Sequence, residues 1–305
     1  MTTIRNETIL IGPTGFLGPS FLKYYPDLIG VGRGELPTFL DNKFIKIEKD
    51  LDFSILDNVD FSNVIFLIGN SDHHLLNNSS VLAMEKNVIP WKIFLDYLVK
   101  SKKKVNKIIN FTTMLQYDSL KMKLPCDENQ PRNPYINNYV MSKYISELIS
   151  EQYRDRFSII DIRMSNVYGP THLRRPDIVP SIIWKIFDDK ELSVWNKKPI
   201  RDFIFVKDAC DAVIKLLSSN YSGPVNLGSG KGTSISDLCN IIEQLSGKTI
   251  NEDNSTVSGH MEFYQDINLL KSLIDWTPKF DLDIGLKITY DEMIGNLCEK
   301  KIYSN

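Results

Sequence analysis

The chain has 305 residues, which at roughly 150 residues per domain allows one large domain or two closely joined ones and excludes a disulfide-stapled module or a short peptide binder. With 42% hydrophobic and 24% charged residues it has the balance of a folded globular protein rather than a disordered one. Thirty-six Lys+Arg against thirty-eight Asp+Glu leave a formal charge of -2, so no overall field recommends nucleic acid as a partner.

From the N-terminus, short β-branched runs alternate with stretches of helical period. Strands are predicted at 8–11, 28–32, 43–47, 63–68, 106–112 and 158–162. Val64-Ile65-Phe66-Leu67-Ile68 is continuously apolar, as expected of a strand buried on both faces in a parallel sheet covered by helices on either side. Right-handed crossovers then imply an α/β fold, a doubly wound parallel Rossmann sheet over residues 1–165 to which 202–220 return. Beyond Asn166 the elements shorten, and helical period returns at 179–188, 207–218, 234–245, 268–274 and 284–299. No long linker intervenes, so 166–305 are expected to form mainly a smaller, interleaved substrate lobe.

Cys126, Cys210, Cys239 and Cys298 lie far apart, without the pairing of a zinc site or the density of a secreted scaffold, and read as reduced thiols. His73-His74, His172 and His260 show no metal-ligand spacing, so solvated or capping roles are expected and no metal. No basic-then-apolar leader precedes the first strand, and no apolar run approaches the roughly 20 residues that span a bilayer. A cytoplasmic protein without membrane contact is the expectation.

Directly after the first strand comes Gly12-Pro13-Thr14-Gly15-Phe16-Leu17-Gly18, glycines three apart that open a helical segment over 16–24. Each glycine has a physical task there: a tight strand-to-helix turn, a close approach of backbone to a diphosphate, and close packing of helix on strand. The helix N-terminus supplies a favourable field for the phosphate charge. An ordinary glycine turn is the bland alternative, but the flanking strand and helix make Gly12, Gly15, Phe16, Leu17 and Gly18 candidate dinucleotide contacts.

With this turn the chain resembles the extended short-chain dehydrogenase/reductases, the NAD-dependent epimerase/dehydratase group that modifies nucleotide sugars. Its fingerprint T-G-x-x-G-x-x-G is met except that Ile11-Gly12 stands for Thr-Gly, and the resemblance runs most of the length of the chain. Asp50-Leu51 is similar to the family's adenine-contacting Asp-Leu pair. Phe66-Leu67-Ile68-Gly69 is similar to its cofactor wall, which implies cofactor contacts for Ile68 and Gly69. Asn87-Val88 is similar to its Asn-Val-x-Gly-Thr signature, with Pro90-Trp91 in place of Gly-Thr. Without the family, Asp50 could cap a helix over 52–58 and Asn87 could lie on a solvated helix face. By length, Gly32 falls where NAD-binding members carry an acid for the ribose 2′-hydroxyl, and Arg33 offers a bidentate donor for a 2′-phosphate. NADP(H) is therefore favoured, with NAD the alternative; a slip of one or two residues would bring Glu35 to the ribose instead.

Tyr139 and Lys143 are four apart in a segment of helical period over 139–152, so they share a helix face. They match the family's Tyr-x-x-x-Lys pair. Asn110-Phe111-Thr112-Thr113 ends a strand twenty-six residues earlier, where the family places its catalytic Ser/Thr. Tyr117, four residues further on as in Ser-Ser-x-x-x-Tyr, favours Thr113 over Thr112. Bringing a phenol of pKa ~10 to neutrality takes about 4 kcal/mol, which Lys143 and cofactor charge are expected to supply. The resemblance also gives Lys143 the nicotinamide ribose. Members that dehydrate a sugar carry an Asp-Glu pair after the catalytic Thr, whereas here Met114 and Leu115 stand there, and neither transfers a proton at neutral pH.

On the substrate side, Arg163-Met164-Ser165-Asn166-Val167-Tyr168-Gly169-Pro170 is similar to the family's R-x-x-N-V-Y-G-P block, which gives Asn166 the substrate diphosphate. Arg201-Asp202-Phe203-Ile204-Phe205-Val206-Lys207-Asp208 is similar to its R-D-F-x-x-V-x-D block, and Arg201 can hold phosphate bidentately; the plain alternative is a local Arg201–Asp202 ion pair. Asn226-Leu227-Gly228-Ser229-Gly230 and Trp276-Thr277-Pro278 match further family runs. An arginine that the family often carries about ten residues before Asp266 is missing from Thr256-Val257-Ser258-Gly259-His260. The resemblance implies an enzyme acting on a nucleotide-sugar substrate, as a reductase of a 4-keto-6-deoxy sugar or as an epimerase, and a homodimer. A redox-silent dinucleotide-binding regulator is the reading from another class, against which Thr113, Tyr139 and Lys143 stand.

Overall fold

The computed structural model describes residues 7–255 and 260–303, with side chains to residue 297. Six apolar runs form β1 (Thr8–Ile11), β2 (Ile29–Gly32), β3 (Phe44–Lys46), β4 (Asn63–Phe66), β5 (Lys107–Thr113) and β6 (Ile159–Met164). After them come the short β7 (Asn166–Tyr168), β8 (Ser193–Val194), β9 (Ile200–Arg201) and β10 (Phe203–Phe205), then β11 (Gly223–Leu227). The main sheet has seven parallel strands in the order β11-β6-β5-β4-β1-β2-β3. Order reverses beside β1, the switch point at which open α/β sheets bind ligands.

Every residue of β1, β2, β4, β5 and β6 is buried, as continuous apolar runs require when helices cover both faces. Alternate side chains of β1 feed opposite layers. Ile9 and Ile11 join Trp91, Phe94, Leu95 and Leu98 of α4 (Ile89–Ser101). Leu10 joins Phe21 and Leu22 of α1 (Leu17–Tyr24) and a C-terminal set that includes Val213 and Leu216. Between β4 and β5 lie α2 (His73–Asn77), α3 (Ser80–Asn87) and α4; α5 (Asn138–Tyr153) follows, capped by Asn137, whose side chain accepts from the Val140 N–H.

The predicted strands lie where they were expected, within two residues at each end. One strand of the main sheet was not foreseen, nor were the short strands outside it. The chain does return to the main sheet, but at β11, just beyond 202–220, which contains β10, paired with β7 outside the main sheet, and the crossover helix α7 (Val206–Leu216). Gly223, at φ +147°, and Pro224 hide β11 from a propensity reading, and Pro is tolerated because β11 is the sheet edge. The C-terminal part adds α6 (Ile178–Phe187), α8 (Ile235–Ser246), α9 (Asn268–Leu273) and α10 (Leu282–Tyr303), each overlapping a predicted helix. Cys126, Cys210 and Cys239 are buried and unbridged.

Two buried polar anchors shape the region beyond β6. Arg163 on β6 pairs with Glu147 of α5 at 2.5 Å, their side chains 2% and 6% exposed. Asp202, fully buried, accepts from the Ser229 N–H and hydroxyl at 2.7 Å and from the Gly230 and Gln265 N–H groups at 3.2 Å. It is therefore no ion pair of Arg201, whose NH1 donates to the Ile200 and Met261 carbonyls.

Replacing Arg163 with Met leaves Glu147 a buried charge without its main partner. Such a break costs about 3–5 kcal/mol. Urea unfolding of Arg163→Met against wild type measures it, and a loss below about 1 kcal/mol would show that the pair does not hold β6 to α5.

Candidate active site

The turn from β1 into α1 is shaped by glycine where nothing else fits. Gly12 has φ +83°, and a Cβ there would lie 2.9 Å from the Ile68 nitrogen. A Cβ on Gly18 would fall 2.1 Å from the Pro13 carbonyl oxygen, inside backbone. Gly15 is exposed, and its nearest neighbour to an added Cβ is 3.9 Å away, so the turn is bare on that side. Neither a side-chain cap nor an acid occupies the first turn of α1. Its leading N–H groups are thus free to receive an anion.

A cleft of about 620 Å³ opens beside this turn at the C-terminal ends of β1, β4, β5 and β6. The glycine turn, Gly69, Thr113, Tyr139, Lys143, Asn166 and Arg201 all line it. A neighbouring cavity of about 670 Å³ shares His73, Leu115, Asp177 and Arg201 with it and continues past Trp195 and His260.

Tyr139 and Lys143 project together from α5. The N-terminus of that helix is fixed by Asn77, whose Oδ1 accepts from the Tyr139 N–H and whose carbonyl accepts from Asn138 Nδ2. Thr113 shares a side-chain hydrogen bond with Tyr139, whereas the Thr112 hydroxyl donates to the Ile162 carbonyl at 3.1 Å. Burial pushes the Tyr139 phenol up to about 12; the Thr113 bond pulls the other way, Asp177 raises it further and Arg175 lowers it. Lys143 is only partly buried as a residue, yet its ammonium is enclosed. It donates to the Phe111 carbonyl at 2.9 Å and lies 3.1 Å from where a Cβ on Gly69 would stand. Desolvation brings it down to about 8. Burial outweighs the other influences on the phenol, and the Lys143 ammonium is turned to the Phe111 carbonyl.

The remaining sequence candidates divide. Ile68 backs the glycine turn. Asn87 is buried, not solvated: its Oδ1 accepts from the Asn70 N–H at 2.7 Å and its Nδ2 donates to Ser142 Oγ at 2.9 Å, bracing α5 between Tyr139 and Lys143. Asn166 donates to the Asp202 carbonyl. Arg33 and Asp50 sit outside the cleft lining, paired at 2.9 Å with side chains 62% exposed; Leu51 follows at φ +56°. The short helical turn after them, Phe53–Leu56, is capped by Asp52, not by Asp50. A Cβ on Gly32 would come within 3.1 Å of Pro13 Cδ, so the glycine turn packs on the place where an acid would stand. The segment 256–259, in which the missing arginine was sought, lies outside the described residues.

Two histidine expectations are corrected. His73 is only partly exposed: its ring lies 4.1 Å from the Tyr139 ring, and burial lowers its pKa. His260 is buried, with Nε2 3.3 Å from the Tyr117 carbonyl. Among the described residues no group of three His, Cys, Asp or Glu could hold a metal ion, and no helix is long and apolar enough to cross a membrane. The sequence reading missed His73, Arg175 and Asp177; the run Arg174-Arg175-Pro176-Asp177 after Gly169-Pro170 was the available signal for the last two.

The family described as NAD dependent epimerase/dehydratase matches residues 9–228. The chain belongs to that family. Among curated relatives of this epimerase/dehydratase member, GDP-L-fucose synthase 1 of Arabidopsis thaliana is 32% identical over 149 residues, 45% of this chain and 46% of that one. A dTDP-4-dehydro-6-deoxy-D-allose reductase of a Streptomyces species is 27% identical over 161 residues, 50% and 49% of the two chains. The chain thus spans about half the length of the curated relatives it matches. In fold it is similar to a UDP-glucose 4-epimerase of Thermotoga maritima solved with UDP-glucose, at TM-score 0.84 and 20% identity, covering 95% of this chain and 99% of that one.

Lys143 gives this family member a testable pH signature. An unfolded lysine keeps its proton to about pH 10.4, the folded one only to about 8. Between these values the unfolded chain binds more protons, so this group's contribution to folding stability rises with pH. Wild type minus Lys143→Met, measured by urea unfolding, should grow by on the order of 2 kcal/mol from pH 8 to 10. A flat difference would mean that the ammonium is not enclosed.

Proposed function

We propose that this protein reduces a keto group on a nucleotide-diphosphate sugar, of the 4-keto-6-deoxy kind, using NADPH. The observation that carries the reading is the meeting of Thr113, Tyr139 and Lys143 at the end of β5, beside a glycine turn whose bare face and uncapped helix fit a dinucleotide diphosphate. When bound, the nicotinamide would supply the hydride. Residues 1–165 with the returning strand would hold the dinucleotide, and 166–305 mainly the sugar nucleotide.

The chain's own groups suit reduction. A phenol held near 12 carries its proton at neutral pH, so Tyr139 is loaded as an acid for the keto oxygen, and Thr113 holds that oxygen beside it. Lys143 would hold the nicotinamide ribose and steady the phenolate that proton donation leaves. Asn166 and Arg201 both line the cleft and are brought together by the bond from Asn166 to the Asp202 carbonyl; they would take the substrate diphosphate. Met114 and Leu115 border the cleft where a dehydrating pair would need proton donors, so loss of water finds no acid or base there. The relative that reduces a dTDP-keto-sugar supports the reductase reading. An NAD-dependent sugar-nucleotide epimerase is the second reading, supported by the fold neighbour that binds UDP-glucose.

Arg33 is the reason for NADPH over NAD. Its ion pair with Asp50 is exposed, and such pairs are worth at most about 1 kcal/mol, so a 2′-phosphate can displace the carboxylate. Gly32, packed on Pro13, offers no acid to repel that phosphate. Arg33→Ala should weaken NADPH by roughly ten-fold or more and leave NADH nearly unchanged in a fluorescence titration. Wild-type preference for NADH would overturn the assignment.

The catalytic reading is tested by Tyr139→Phe. Cofactor affinity should stay within a few-fold while turnover falls at least roughly 100-fold. In wild type, NADPH consumption should match product one for one when a nucleotide-diphospho-4-keto-6-deoxy sugar is supplied. Interconversion of two sugar epimers with no net change in nicotinamide absorbance would favour the epimerase instead.

A further inference from the structure

We propose that Arg175 is a diphosphate-binding residue that the C-terminal lobe contributes to the dinucleotide cleft, fastening that lobe over the cofactor. The inference rests on reading the cleft as a dinucleotide site. Arg175 precedes α6 in the loop that follows β7, far in sequence from the glycine turn. Its guanidinium carbon nevertheless lies 4.8 Å from the centre of the Phe16 ring. Phe16 is the residue that enters α1, whose first N–H groups no side chain caps. Arg175 NH2 donates to Ser71 Oγ at 2.9 Å, and Ser71 stands in the loop that leaves β4. Nε donates to Asp177 Oδ2 at 2.7 Å. One side chain from the C-terminal lobe therefore reaches two loops of the main sheet, both at the cleft.

These contacts differ from those of an arginine that merely solubilises a loop. Phe16, Ser71 and Asp177 all line the cleft, as does Arg175 itself, and the Arg175 side chain is only 19% exposed. A guanidinium carries five N–H donors in a rigid fork, and the described hydrogen bonds use two. Stacking on Phe16 holds the plane of the fork without consuming donors. The charge is balanced by Asp177, which is 45% exposed and so can return to water when a stronger anion arrives. A cation with spare donors, beside a helix N-terminus with spare donors, is suited to a group of two linked phosphates.

Two ligands bring a diphosphate to this cleft, the dinucleotide and the sugar nucleotide. Adjacency to Phe16 and α1 assigns Arg175 to the dinucleotide. Calorimetric titrations distinguish them, with ADP-ribose as the cofactor probe, adenosine as its phosphate-free control, and UDP, GDP and dTDP as substrate probes. Arg175→Ala should weaken ADP-ribose about ten-fold or more, leave adenosine unchanged and leave the nucleoside diphosphates within two-fold. Arg175→Lys, which keeps the charge but not the fork, should recover part of the loss, and near-ultraviolet circular dichroism checks that both variants fold. Unchanged ADP-ribose affinity in Arg175→Ala would sink the inference, as would a loss confined to the nucleoside diphosphates or one shared equally by adenosine. If wild type binds neither ADP-ribose nor NADP(H) nor NAD, the functional reading falls and the role of Arg175 with it. Wild-type binding that Arg175→Ala leaves intact overturns the role of Arg175 alone.

Discussion

The ion pair between Arg163 and Glu147 is the contact on which the cleft depends. Glu147 lies on α5 one helical turn beyond Lys143 and two beyond Tyr139, so whatever fixes Glu147 fixes the azimuth of both. Arg163 grips it through NH2 at 2.5 Å and Nε at 3.2 Å, a two-point contact that opposes rotation as well as sliding. The other side of the guanidinium donates to the Tyr117 hydroxyl at 3.0 Å and the Glu128 carbonyl at 2.8 Å. Tyr117 in turn donates to Asn226 of β11 at 2.6 Å. Burial alone would raise the Glu147 carboxyl, but Arg163 and Gln116 bring it below its ordinary value, so it stays charged. One cation thereby joins α5, two strands and the loop after β5.

Removing two charges from water is costly, and apolar residues of the same size often give equal or greater stability. What a hydrogen-bonded pair adds here is position. Leu or Met at these sites would tolerate small slides of α5 over β6, whereas the bidentate pair accepts one register. The same logic governs the far side of the cleft. Asp202 holds the backbone of Ser229, Gly230 and Gln265, and Asp208 accepts from the Lys279 and Phe280 N–H groups at 3.0 Å. A Cβ on Gly228 would come 2.5 Å from Asp202 Oδ2, so the loop closes this tightly because it carries glycine. Short β7, β9 and β10 have too few ladder bonds to order this lobe alone, and buried carboxylates supply the remainder.

How much of this was legible follows from how local each signal is. The glycine turn and the Tyr139–Lys143 spacing could be read because each lies within one turn or helix and its chemistry demands those residue types. The strands up to β6, apart from the part-exposed β3, could be read because burial on both faces makes them predominantly apolar. Arg163, Asp202 and Asp208 stood out as parts of longer runs, but their tasks depend on partners 16 to 72 residues away and were invisible. Asp202 looked like a mate for Arg201 and is instead a backbone anchor. His73 looked solvated because nothing in its neighbourhood reveals that α2 presses it against Tyr139, 66 residues along the chain. β11 escaped because Gly223 and Pro224 suppress every strand signal at its start, and only its place at the sheet edge makes them acceptable.

Desolvation also decides the proton's place in the cleft. Free phenol and ammonium groups lose their protons at nearly the same pH; here burial drives them apart, the Tyr139 phenol up to about 12 and the Lys143 ammonium down to about 8. Both shifts favour the neutral forms, so the enclosed pair resists charge until something charged is placed beside it. The two influences that act on Tyr139 from the C-terminal lobe have opposite signs, Asp177 holding the proton on and Arg175 favouring its release. They are bonded to each other, so their fields largely cancel while that pair is intact. An anion that drew Arg175 away from Asp177 would unbalance them and change the phenol's readiness to give up its proton. The loop that bears both residues thereby sets two opposed fields on the Tyr139 phenol.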